Sequence, residues 1–131
     1  MKSGLTPGMT TARRLTVDRP RTVDFLGEEL RLYATPELIR DIESTCREFL
    51  LGFADPGEDS VGTGVSLVHS GGTLLGSPVE INVTVKEVNG RRVQFSVVAR
   101  DDRQEIGRGE HGRAIVETEK LRARLAALKA S

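Results

Sequence analysis

Three residues supply the side chains with which this chain could act on a carbonyl: Thr35, Glu43 and His69. Thr35 opens the stretch TPELIRDIESTCREFLLGF, in which Leu38, Ile39, Ile42, Cys46, Phe49, Leu50 and Phe53 recur at helical spacing. At about 100° per residue, Arg40, Asp41, Ser44, Arg47 and Glu48 fall on the opposite, wet face, and Glu43 breaks the pattern. It projects roughly 40° round from Ile39, at the border of the apolar stripe, where a carboxylate loses hydration unless something pairs with it. His69 closes a run of alternating residues and can give or take a proton near neutral pH. A hydroxyl, a carboxylate and an imidazole together can polarise a carbonyl, activate water or attack directly. Each also has a plain structural role. Thr35 can be an N-cap with Pro36 at the first helical position, Glu43 an ordinary border carboxylate, and His69 a satisfied core residue.

The elements that must position these residues are legible on both sides of the helix. Residues 1–9, with their Gly, Pro and Ser, are expected to fray, and residues 10–131 to form a single domain. Thr10 to Val17 reads as a short strand that Pro20 ends. Arg21 to Leu32 mixes Val23, Phe25, Leu26 and Leu30 with charges and suits either a strand fragment or a short lid. Asp55-Pro56-Gly57 stops the helix.

From Ser60 to about Glu117 the chain reads as strands. The first places Val61, Thr63, Val65, Leu67 and His69 on one face, and Gly62, Gly64, Ser66 and Val68 on the other. Val79, Ile81, Val83 and Val85 alternate with Glu80, Asn82, Thr84 and Lys86. Asn89-Gly90 signals a type I′ hairpin into Val93, Phe95, Val97 and Ala99. The last strand carries glycines at 107, 109 and 112, which mark kinks or a close backbone approach. Leu121, Leu125 and Leu128 give the tail a short amphipathic helix. One long helix and an antiparallel meander make an α+β class, with the sheet curled round the central helix in the hot-dog manner.

Composition removes several other chemistries. Lys+Arg and Asp+Glu number 19 each, so no net charge draws the chain to polyanions. Arg13-Arg14 and Arg91-Arg92 lack interleaved aromatics, so no nucleic-acid partner is expected. Two histidines and one cysteine at unrelated spacings do not make a metal site. GTG at 62–64 and GRG at 107–109 lack the context of a phosphate loop. The lone Cys46 excludes an internal disulfide and reads as a small hydrophobe. No run is long and apolar enough to cross a membrane, and the N-terminus lacks the apolar region of a signal peptide, so a cytoplasmic location is expected.

ATPELIRDIESTC, DPGEDSVGTGVSLVHSG and VNGRRVQFSVVARDDRQEIGRGEHGRAIV together resemble the fluoroacetyl-CoA thioesterase group of hot-dog acyl-CoA thioesterases, from roughly Ala34 to Val116. The resemblance places that family's catalytic Thr, Glu and His on Thr35, Glu43 and His69. It puts Gly62 and Thr63 of the SVGT run beside the substrate, and matches G-x-G-x-H-x-R with Gly107, Gly109, His111 and Arg113. It implies an acyl-CoA substrate, coenzyme A entering only as part of that substrate, and no separate cofactor or metal. It also implies a homodimer or higher homo-oligomer that pairs through an edge strand. The family's aromatic-rich lid is here FLGEELRLY, which leaves the acyl group open. Hydration or dehydration of an acyl thioester, and acyl-CoA binding without turnover, remain as alternatives to hydrolysis.

Overall fold

Alternation in the second half of the chain builds one sheet, and the apolar stripe of the helix covers it. The computed structural model describes all 131 residues. Its elements are β1 (Thr10–Thr16), β2 (Thr22–Val23), β3 (Leu32–Tyr33), α1 (Thr35–Leu51), β4 (Glu58–His69), β5 (Pro78–Asn89), β6 (Arg92–Asp101), β7 (Glu105–Glu117) and α2 (Thr118–Ala130). Five strands pair antiparallel in the order β1-β5-β6-β7-β4, and β2 and β3 form a small ribbon of their own.

Leu38, Ile42, Cys46 and Leu50 of α1 are buried against Val79, Ile81, Val83 and Val85 of β5 and Val93, Phe95, Val97 and Ala99 of β6. This is the expected α+β arrangement of a curled sheet with one long helix on its inner face. Burial pushes the Cys46 thiol up to about 12, which keeps it a packing residue.

Several local expectations meet a different arrangement. Residues 1–9 are docked: Leu5 belongs to the core, Lys2 N–H donates to Phe53 O at 2.7 Å, and Gly8 N–H donates to Val85 O at 2.8 Å. The hairpin loop is Gly90-Arg91, because Asn89 already pairs with Arg92. Only Gly90 has a positive φ, 61°, which is the pattern of a type II′ turn and not the type I′ expected from Asn-Gly. Asp41, assigned to the wet face of α1, is buried because the segment between β1 and α1 folds over that side. The helix α2 forms, yet buries none of its residues, and Leu125 and Leu128 stay exposed.

The departure that matters most is in β4. Its register with β7 slips between Gly62 and Gly64. One extra residue reverses every side chain beyond it. Ser60 and Gly62 therefore share the inner face with Val65, Leu67 and His69, and Val61 and Thr63 turn outward. Thr63 Oγ1 lies 2.8 Å from where a Cβ on Gly112 would stand, beside the outward-facing Gln94.

Candidate active site

Helix α1 and strand β4 run side by side in opposite directions, and the candidate residues line the seam between them. Ala34, with extended backbone, is the N-cap of α1, and no side chain caps the helix. Thr35 is consequently the first helical residue and not the cap expected from the sequence. Its hydroxyl is left to meet His69 Nδ1 at 2.7 Å. This is the spacing of a nucleophile or water-ordering hydroxyl beside a base. The other ring nitrogen of His69, Nε2, is buried and has no hydrogen-bond partner within the chain. Burial pulls the His69 pKa below its usual value, with a backbone contact at Gly71 acting the other way, so the ring is held neutral. His69, Thr35, Val23, Phe25, Leu32, Tyr33 and the start of the following loop line a cavity of about 420 Å³.

Glu43 belongs to a second cluster. Eight residues of helix separate it from Thr35, an axial distance of about 12 Å. Its Oε2 lies 2.7 Å from the position a Cβ on Gly62 would take, so only glycine leaves room for the carboxylate there. Arg113 Nη1 faces Glu43 Oε2 at 3.5 Å and His111 Nε2 at 3.2 Å. The rest of the guanidinium is spent on Ser60: Nε donates to its hydroxyl at 2.8 Å, and Nη2 donates to its carbonyl at 2.9 Å. His111 Nδ1 donates to Gly64 O at 2.8 Å, which leaves Nε2 as the lone pair that accepts from Arg113. Burial holds the His111 pKa down, and the neighbouring Arg113 charge adds to this.

Of the residues singled out in the sequence, the fold joins Thr35 to His69, and Glu43 to Gly62. Thr63 is on the outer face, away from both pairs. Val65 and Leu67 stand between the pairs on the inner face of β4. Glu43 is not the desolvated border residue expected from periodicity. Its side chain is 47% exposed, because the seam lies at the free edge of the sheet. Sequence periodicity missed Ser60 and the buried Tyr33. The polar residues of β7 carried a signal, since an Arg and a His at alternate positions of one strand face share surroundings.

Two histidines held neutral give the fold a pH dependence whose sign is fixed. Below their ordinary value of 6.5 the unfolded chain takes up protons that the folded chain refuses. Stability is therefore full above that value and is lost as pH falls through it toward the lowered folded values. Thermal unfolding followed by circular dichroism should give a lower Tm at pH 5 than at pH 7.5. An unchanged or higher Tm at pH 5 would contradict the neutral assignment of both rings.

Comparison with known proteins identifies the family and the fold. The family model described as fluoroacetyl-CoA-specific thioesterase matches residues 17–119. The chain is 31% identical over 119 residues to the fluoroacetyl-CoA thioesterase of Streptantibioticus cattleyicolor, covering 91% of this chain and 83% of that protein. A solved structure of the fluoroacetyl-CoA thioesterase superposes with a TM-score of 0.88 at 29% identity, over 95% of this chain and 98% of that one. A thioesterase superfamily member from Thermus thermophilus gives 0.88 at 27% identity, over 98% and 96% of the two chains. No helix is long and apolar enough to cross a membrane. The chain therefore belongs to the family of fluoroacetyl-CoA-specific thioesterases within the hot-dog fold.

Proposed function

We propose that the protein hydrolyses acyl-CoA thioesters carrying small to medium acyl groups, releasing the free acid and coenzyme A. The observation that carries this reading is the Thr35–His69 pair, 2.7 Å apart at the mouth of a mostly apolar cavity and with His69 Nε2 unpartnered. Val23, Phe25 and Leu32 would take the acyl group in the cavity of about 420 Å³. At the start of α1 the Thr35 N–H would face the carbonyl oxygen as negative charge develops on it, since Pro36 has none and Glu37 and Leu38 donate to Ala34 O.

The chemistry is an acyl transfer to water. An oxygen adds to the carbonyl carbon, the carbon–sulfur bond breaks, and the departing thiolate takes up a proton. Glu43 would activate the attacking water as a base, or attack first through its own carboxylate to give an anhydride that water opens. Neutral His69, hydrogen-bonded to Thr35, would order the nucleophile, and the thiolate would take the proton that the attacking water gives up, passed on by Glu43 or by His69 once it has become imidazolium.

Two such clusters about 12 Å apart along a helix do not serve one carbonyl unaided. The free edge suggests how they meet. β4 ends the sheet with Val61, Val65 and Val68 exposed by 41, 46 and 69%, whereas β1, the other edge, carries Arg13 and Arg14. A twelve-residue edge strand that exposes three valines is a pairing surface, not a solvent face. Laid antiparallel on a second β4 with the two Ser66 residues facing each other across the two-fold axis, and with Thr63 as the extra residue of the bulge, Gly62 of one chain comes beside His69 of the other. Glu43 of one protomer would then face Thr35 and His69 of its partner, in a homodimer with two shared sites.

A panel of acyl-CoAs from acetyl to palmitoyl, with release of free thiol followed by absorbance, tests the activity. The expected result is fast release with short and medium chains, falling off toward palmitoyl. Formation of an enoyl or hydroxyacyl product would make the protein a dehydratase or hydratase. Binding without thiol release would make it a sensor.

A further inference from the structure

Asp41 is a buried carboxylate that the chemistry above does not use. Helix α1 turns it away from the sheet, toward the segment that joins β1 to the helix. There it accepts two hydrogen bonds from Arg21, from Nε at 2.9 Å and from Nη2 at 3.0 Å, and a third from the Tyr33 hydroxyl. Arg21 reaches on to Asp18 at 2.8 Å, and its carbonyl accepts the N–H of Ala34 at 2.9 Å. The Tyr33 ring is buried and stands edge-on to the ring of His69, with centroids 6.3 Å apart and planes at 77°. Three parts therefore meet at one carboxylate: the root of the 18–33 segment, the first turn of α1 with Thr35, and the wall beside His69.

A buried ion pair contributes little net stability, because desolvation offsets most of the attraction. It is better at enforcing one geometry. If Tyr33 rotated away, a buried carboxylate would lose one of three donors and a buried phenol its only acceptor. Burial, together with the hydrogen bond to Asp41, keeps the phenol protonated far above its usual range, so it stays a donor.

We infer that Asp41 is a positioning residue for His69 and acts through Tyr33. The inference rests on the role given to His69 above. Asp41 does not touch His69; it fixes the phenol, and the edge of the fixed ring limits how far the imidazole can swing from the Thr35 hydroxyl.

Steady-state kinetics on the full chain with butyryl-CoA test it. Tyr33→Phe keeps the ring and removes the tether; Asp41→Asn keeps the shape and removes the charge. Tyr33→Phe should lower kcat about tenfold and leave KM within about twofold, with Asp41→Asn at least as impaired. In a His69→Ala background the same Tyr33→Phe change should move kcat by less than about twofold, since no imidazole is left to hold. A purely structural role would instead repeat its full effect in that background. Tyr33→Phe with unchanged kcat, or an equal loss with and without His69, overturns the inference. Should Asp41→Asn fail to fold, Tyr33→Phe decides alone, as it removes a single hydroxyl. If His69→Ala itself keeps the wild-type rate, the assignment of His69 falls, which is a distinguishable result.

Discussion

Glu43→Gln should lower thiol release from every acyl-CoA the protein accepts by at least about a hundredfold, the lower end for loss of a general base. Glutamine keeps the length and shape of the side chain but cannot accept a proton from water or attack a thioester. Folding should be spared, since the side chain is half exposed and its contact with Arg113 is a long one, at 3.5 Å. Arg113 loses the carboxylate that faces it but keeps its two bonds to Ser60 and its contact with His111 in the variant, so its donors stay paired. An equal Tm with the rate lost would place the effect in chemistry. Near-normal thiol release would return Glu43 to being an ordinary surface carboxylate.

The second large effect concerns backbone. A Cβ on Gly109 would collide with the carbonyl oxygen of Ser66 and lie 2.9 Å from Leu67 Cα. Both obstacles are main chain in the paired strand, so no side chain can swing aside. Gly109→Ala therefore has to push β4 off β7, where Leu67 is its direct partner. Overpacking against main chain falls at the upper end of the usual cost, about 3 kcal/mol. For a domain of this size that corresponds to a fall in Tm on the order of 10 °C. His69 closes the same strand, so any folded fraction should also lose activity. A Tm within about 2 °C of the parent would show that the two strands have room the geometry denies.

The glycines of the last strand illustrate what could be read before the fold was known. Three in thirteen residues are too many for a strand without a reason, and at Gly109 the reason is backbone approach. The strict alternation of β5 and β6 and the apolar stripe of α1 gave the sheet, the helix and the core in the same way, because burial imposes a period. Features without a period were misplaced. The bulge at Thr63 has no marker beyond its flanking glycines, yet it moves Gly62 to the side of His69 and Thr63 away from it. A helix pattern describes one packing partner and so turns Asp41 to water, whereas here a second segment lies across the back of α1. Thr before Pro is a common helix start, and the pattern points to Thr35 as the cap. The cap falls one residue earlier, which leaves the hydroxyl available to His69. The separation of Glu43 from Thr35 was present in the sequence as eight helical residues, but its meaning depends on which edge of the sheet is free.

That separation supports the most direct test of the central claim, that two chains share each site. Glu43→Gln and His69→Ala chains, each expected to be inactive on its own, would be coexpressed with different tags and the species carrying both tags isolated by sequential affinity steps. In a mixed dimer one site receives both wild-type halves, Glu43 from the His69→Ala chain and Thr35–His69 from the other, and the second site receives neither. The account predicts that mixed dimers hydrolyse acyl-CoA at about half the wild-type rate per dimer, a gain of more than about tenfold over either parent. Mixed dimers as inactive as their parents would contradict it, because each chain would then be working with its own Glu43.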